Sequence, residues 1–327
     1  MTTVFDAGNW KLTIRRESDG IEILRAVTCD IRAVLPEELF GLPVTVIGPR
    51  AMSVLAPPLE GETILVANSK RSEDAEWNNA NIRELVIPRW VRRIGDYALL
   101  GCRSLEKLTV HDSVRQWGGD VFTNCRNLNA FHVTLEPEFQ GRTLAYFANG
   151  ISRELDITVE QDGQIGRLIF PEYEEFEEEG FIAQAVQFHY HIAGAGYLHH
   201  HCFQQRMFSF RKYDDVWPQY MKLHYNPACA MRLAWWRIQY PMGLEEQAEA
   251  RYWTYVREQA TETLAWLLSI KNHSGLRLLL REVDFSAEQL SEACDQARVA
   301  ENTESLAILL EEQHKRFPAG VQKRFDL

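Results

Sequence analysis

The chain has 327 residues, 46% of them hydrophobic and 25% charged, with 19 Gly and 12 Pro. That composition excludes collagen-like, low-complexity and largely disordered chains, and the length suggests two domains. Thirty-five Lys and Arg against 46 Asp and Glu leave a net charge of −11 with no basic stripe, which argues against a nucleic-acid backbone as partner. No run approaches the roughly 18 apolar residues of a membrane span. The start, MTTVFDAGNWKLTIRRESDG, lacks a secretory-signal pattern. The expectation is a soluble cytoplasmic protein that binds neither membrane nor nucleic acid. Its six cysteines include no CxxC and read as free buried thiols in a reducing compartment.

The first element is a hairpin, Trp10–Arg16 and 21–26 about the turn Ser18-Asp19-Gly20. A repeat follows. Residues 82–104 (IRELVIPRWVRRIGDYALLGCRS) align without a gap on 105–127 (LEKLTVHDSVRQWGGDVFTNCRN). Leu85/Leu108, Val91/Val114, Arg92/Arg115, Gly95/Gly118, Cys102/Cys125 and Arg103/Arg126 are identical at a period of 23. A third copy starts at Leu128 and keeps Phe131 and Val133. An earlier copy spans 31–54, where Leu35-Pro36, Val44, Ile47-Gly48 and Ala51-Met52 keep the same order. A unit this short cannot bury its own apolar face, so successive units stack with equivalent residues above one another. Stacking sets Arg83 over Glu106 and Glu84 over Lys107, pairs worth a few tenths of a kcal/mol each. Between copies lies a polar insertion, 67–80, carrying Trp77, read as a solvent loop or a binding loop.

Further on, 155–160 and Gln164–Phe170 flank Gln161-Asp162-Gly163, a second hairpin placed to cap the stack. The acidic run Glu172, Glu174, Glu175, Glu177, Glu178 and Glu179 reads as a solvated loop or helix face, or as a dock for a basic partner. Next comes HYHIAGAGYLHHHC, residues 189–202. His189, His191, His199, His201 and Cys202 are its candidate metal ligands, because imidazole and thiolate bind zinc. Against them, no HExxH or CxxC is present, and the adjacent His199, His200 and His201 cannot converge on one ion. The Gly-Ala-Gly at 194–196 reads as a turn. No nucleophile elbow, P-loop or kinase signature occurs.

From about 210 the pattern turns helical. Asn226-Pro227 is an N-cap with Pro at the first helical position, and Pro241 stops that helix. Residues 244–270 predict two helices. Adjacent Trp235 and Trp236 cannot share one helix face, so one of them meets a second surface. Asn272, Leu276, Leu279 and Leu280 recur thirty residues on as Asn302, Leu306, Leu309 and Leu310. Ser286 with Gln289 forms a capping box between them.

Two resemblances follow from these motifs. LVIPRWVRRIGDYALLGCRSLEKLTV and LFGLPVTVIGPRAM resemble the BspA-type leucine-rich repeat over about residues 10–150. The sequence departs from it at Met52 and Leu99, where Phe is usual, and at Asn124, where Gly is usual; these changes imply a short, irregular array of about four coils. LSEACDQARVAENTESLAILLEEQHKRF resembles a degenerate ankyrin repeat, without its TPLH signature. The fold implied is α+β: a short leucine-rich-repeat solenoid with flanking hairpins, followed by an all-helical domain of ankyrin-like helical hairpins. Its divisions fall at 1–30 (hairpin cap), 31–150 (repeat array), 151–205 (hairpin cap and connecting segment) and 206–327 (helical domain).

For function, stacked repeats imply a non-enzymatic interaction scaffold that needs no cofactor and binds a protein, a basic one where it meets the acidic run. Glu84, Val86, Lys107, Thr109 and His132 are expected to face solvent together, with Trp77 as a further contact. The alternative is a metal-dependent enzyme or metal-binding protein centred on 189–202. The sequence assigns no oligomeric state.

Overall fold

The computed structural model describes residues 8–57, 59, 63–67, 76–137, 141–182 and 185–318, with 175–182 and 185–192 described as backbone. The chain divides into two compact units, Met1–Tyr225 and Asn226–Leu327.

The first unit opens with the antiparallel hairpin β1 (Trp10–Arg16) and β2 (Ile21–Thr28). Short strands follow: β3 (Arg32–Val34), β4 (Glu38–Leu39), β5 (Leu42–Ile47), β6 (Thr63–Val66), β7 (Glu84–Val86) and β8 (Arg93–Ile94). Then come β9 (Lys107–His111), β10 (Gln116–Trp117) and β11 (Ala130–Thr134). Helix α1 (Arg142–Gly150) precedes the hairpin β12 (Leu155–Gln161) and β13 (Gln164–Phe170). These strands build a solenoid with two sheets. One runs β3-β7-β9-β11-β12 in parallel, finished by antiparallel β13. The other stacks β5, β8 and β10 in parallel, and β2, β1 and β6 extend it beyond β5.

Register shows why the sequence repeats every 23 residues. Ala33, Leu85, Leu108, Phe131 and Ile157 stand opposite one another in successive rungs, and each is 1% exposed or less. On the other sheet Ile23, Ile47, Ile94 and Trp117 do the same. Alternate residues of each short strand point inward, so every rung adds apolar side chains to one continuous core. Each such Leu, Ile or Phe contributes roughly 1.5–3 kcal/mol by leaving water. Gly118 is required at its corner, since a Cβ there would lie 2.4 Å from the Asp96 amide nitrogen one coil below. Asn124 stands where the coil before it has Gly101, and both are left-handed, at φ 62° and 81°. Asparagine tolerates that conformation better than other side chains, so the departure from Gly leaves the coil intact. Cys102 and Cys125 are fully buried, unbridged thiols. Their Sγ atoms donate to the carbonyls of Met52 and Leu99, and burial pushes the Cys125 thiol up to about 12.

The acidic run corrects its own expectation. All of it but Glu172 lies in a strand, β14 (Glu174–Ile182), paired antiparallel with β15 (Ala185–Ala193). A 3₁₀ helix follows at Ala195–Cys202, then a small hairpin of β16 (Phe203–Gln204) and β17 (Met207–Phe208). The helices α2 (Phe210–Asp215) and α3 (Trp217–Tyr220) end the unit.

Single polar side chains close both ends of the solenoid. At the N-terminal end Asn79 is 4% exposed. Its Oδ1 accepts from the Thr28 N–H, and its Nδ2 donates to the carbonyls of Ala26 and Met52. The last residues of the 67–80 insertion are therefore structural, while 68–75 lie outside the described residues. At the far end, fully buried Tyr213 of α2 accepts from the Ile169 N–H and donates to the Ile169 carbonyl. One hydroxyl thus satisfies both outward ladder groups of Ile169 on the edge of β13, where an open strand would invite pairing. Tyr213→Phe is expected to destabilise this unit by about 1–3 kcal/mol in a urea titration, the cost of orphaned backbone groups. An unchanged midpoint would remove the clamp from the account.

The second unit is helical: α4 (Pro227–Gln239), α5 (Glu246–Glu258), α6 (Ala260–Ser269), α7 (His273–Glu282), α8 (Ala287–Val299) and α9 (Thr303–Arg316). Asn226 caps α4 by accepting from Ala228 and Cys229 N–H groups, and the Ser286/Gln289 capping box opens α8. The thirty-residue repeat has a polar counterpart. Asn272 and Asn302 cap α7 and α9 and also reach back, Asn272 to Gln239 and Asn302 to the Leu268 carbonyl. Leu280 is 2% exposed, but its repeat partner Leu310, in the last described helix, is 42% exposed. Both adjacent tryptophans are buried on different neighbours, Trp235 against Trp253 and Trp236 against Trp266. Among the described residues no helix is long and apolar enough to cross a membrane.

Candidate interaction surface

The outward face of the sheet β3-β7-β9-β11-β12 carries the residues singled out for contact. Strand alternation that turns Leu85, Leu108 and Phe131 inward turns their neighbours outward. One row runs Arg32, Glu84, Lys107, Ala130, Asp156. A second runs Val34, Val86, Thr109, His132, Thr158.

Exposure along these rows is uneven. Lys107 is exposed, and Glu84, Thr109 and His132 are half-buried. Val86 corrects the expectation: it is only 9% exposed. Its register neighbours Val34 and Thr109 shield it from both sides, as in-register side chains on a parallel ladder do. Ion pairs knit adjacent rungs. Arg83 meets Glu106 at 3.5 Å, as stacking requires. Glu84 is in register with Lys107 but pairs with Arg32 on its other side at 3.3 Å. Arg167 holds Asp156 through two bonds of 2.8 and 2.6 Å. His132 Nε2 lies 3.2 Å from Glu160, and beside it burial, aided by Arg89 and His132, pushes the His111 imidazole down to about 4. Trp77 stands apart from this wall, beneath the Lys11 ammonium at 4.4 Å from the ring centroid.

The histidine-rich segment is split between two elements. His189 and His191 lie on β15, where the structure describes backbone alone. His199, His200, His201 and Cys202 lie on the 3₁₀ helix. At three residues per turn, consecutive side chains there fan about 120° apart. His199 is 1% exposed with its ring against Tyr213, Tyr220 and Phe170. Burial drives its imidazole down to about 3 and pushes the buried Cys202 thiol well up, so the segment favours neutral imidazole and thiol over charged forms. His200 is half-buried edge-on to Tyr173, and His201 is exposed. Among the described residues no three His, Cys, Asp or Glu side chains are grouped to hold a metal ion.

Residues that sequence reasoning passed over also shape this unit. Asp112, fully buried, accepts from the N–H groups of Gly141 and Thr143 and so fastens the start of α1. Helix α1 in turn lays Tyr146 flat on Trp117, 4.7 Å between centroids, and Phe147 on Phe131 at 4.1 Å. The signal was present but faint: an Asp in place of an apolar residue at the end of a core strand.

Comparison with known proteins agrees with the repeat. Residues 71–151 match the family described as BspA type Leucine rich repeat region (6 copies). Among solved structures, a leucine-rich repeat protein of T. pallidum matches at 16% identity with a TM-score of 0.22. That match covers 37% of this chain and 68% of the other. No curated protein matches. The stacked coils, the Ile-Pro and Ile-Gly corners and the matched span agree: residues 71–151 are similar to the BspA-type leucine-rich repeat region.

Proposed function

We propose that this protein is a non-enzymatic scaffold that binds a protein partner through the repeat array. The observation that carries the reading is the pair of in-register rows, in which side chains 23 residues apart line up on a rigid wall. Core positions fix the rungs, so outward positions are free to encode a partner, which is how stacked repeats serve as binding surfaces. Lys107 and Thr109 sit at the centre of that wall, with His132 and Glu84 as their neighbours. The match to a leucine-rich repeat family supports the same reading.

The test compares the wild-type chain with Lys107→Glu/Thr109→Arg in affinity capture from the source cell extract, followed by quantitative mass spectrometry. Both positions face outward, so the variant is expected to fold normally and to lose at least about tenfold of one captured partner, since a like-charge juxtaposition at an interface costs several kcal/mol. Equal recovery of every protein by the folded variant would move the contact off the wall.

A further inference from the structure

A groove of about 1500 Å³ lies in the first unit beside β8 and β10, with α1 along one side. Its Arg153 also lines a smaller hollow with Glu84, Lys107 and Ala130 of the wall. Aromatic rings line part of it: Trp117 stacked on Tyr146, with the Phe122 ring 5.8 Å from Trp117. Five arginines line it against three carboxylates, in a chain whose net charge is −11.

The charges are not spread evenly: Asp96 and Asp120 keep their negative charge beside Tyr146, while the third carboxylate is paired. Among the carboxylates, Glu22 is held by Arg15 at 2.9 Å and by Arg93 at 3.8 Å. Asp96 accepts from the Gly119 N–H. Arg153 donates to two carbonyls, those of Cys125 and Arg126, and so keeps its charge uncompensated. Arg142 and Arg206 are exposed, and neither guanidinium pairs with a carboxylate among the described residues. The position of Arg206 is itself built. It occupies the two-residue turn of the β16–β17 hairpin, where Gln205 and Arg206 both take positive φ, 51° and 66°. Such turns are normally filled by Asn-Gly or other pairs at ease in that conformation. Here a strained pair sets a guanidinium at the mouth of the groove, and strain of this kind gathers where a side chain is needed in place.

We infer that this groove takes an extended acidic segment of a partner protein. Its carboxylates pair with Arg142, Arg153 and Arg206, and an aromatic side chain lies against the Trp117–Tyr146 stack. Arginine suits this task because its planar fork meets a carboxylate with two bonds and also packs on rings. The inference rests on the scaffold reading and adds to the wall a second contact face with its own chemistry.

The probe is a fluorescein-labelled peptide, Glu-Phe-Glu-Glu-Phe-Glu, titrated with the full chain and followed by fluorescence anisotropy. Its controls are the same peptide with Lys for every Glu and a twelve-residue oligothymidylate. The expected result is saturable binding of the acidic peptide, weakened by added salt, and none of the basic one. Arg142→Ala/Arg206→Ala should weaken binding roughly tenfold, as expected for two exposed charge pairs, with an unchanged melting curve. No binding, equal binding by the double variant, or equal or tighter binding of the oligothymidylate would each overturn the proposal. Lys107→Glu/Thr109→Arg should bind the peptide as the wild type does. If the peptide fails while the wall variant still loses its captured partner, the groove falls and the scaffold reading stands.

Discussion

Leu108→Ala is expected to cost the N-terminal unit about 2–5 kcal/mol, the range for truncating a fully buried leucine. Leu108 is 0% exposed and faces Leu85 in one neighbouring rung and Phe131 in the other. The cavity would therefore open at two coil-to-coil interfaces at once. In a linear stack, where each unit is stabilised by its two neighbours, that loss reaches beyond the altered rung. Thr109→Ala, one residue along and turned outward, should change stability by less than about 0.5 kcal/mol. Urea titrations of both variants, followed by circular dichroism, check the contrast. Equal effects at 108 and 109 would mean that strand alternation does not set which side chains form the core.

The second large effect is with acid. His199 is held neutral by burial, down to about 3, with His200 as its charged-form neighbour and the rings of Tyr213, Tyr220 and Phe170 around it. His111 is down to about 4, through burial first and then Arg89, His132 and Arg92, while Glu160 pulls the other way. Both imidazoles bind a proton more readily in the unfolded chain, where histidine titrates near about 6.5. Their contribution is therefore complete above about pH 6.5 and is lost as the pH falls toward about 4 and then about 3, at roughly 1.4 kcal/mol per pH unit for each histidine. As the pH falls from about 6.5 to 5 the melting temperature should therefore drop. His199→Phe places an apolar ring in the same aromatic cage and is expected to remove part of that slope, His111 and the partly buried His200 supplying the rest. A slope unchanged in this variant would show that His199 takes up no extra proton on unfolding.

How much of this was readable beforehand depends on whether a feature repeats. Leu85 and Leu108, Gly95 and Gly118, Cys102 and Cys125 announce the coil because the same physical demand recurs every 23 residues. The Asn272 and Asn302 caps recur in the same way, at thirty. Asn79 and Tyr213 occur once each, and their hydrogen bonds span 27 to 53 residues of sequence, so no local pattern marks them. Val86 was misread because alternation gives the face a side chain takes but not how tightly its in-register neighbours close over it. The acidic run was misread because its strand character comes from its partner. Opposite it stands AVQFHYHIA, rich in aromatic and β-branched residues. Trp117 and Tyr146 come from a rung and a helix 29 positions apart, and neither alone suggests a groove.

The Tyr213 hydroxyl on Ile169 also bears on how such a molecule can change its length. A coil duplicated in the middle of the array would find matching ladder partners above and below. The same coil appended after Phe170 would meet backbone groups already bound to a tyrosine. A chain with one more coil is thus expected to fold when the copy is inserted between Val86 and Lys107, and to lose the Tyr213 contact when it is placed after Phe170.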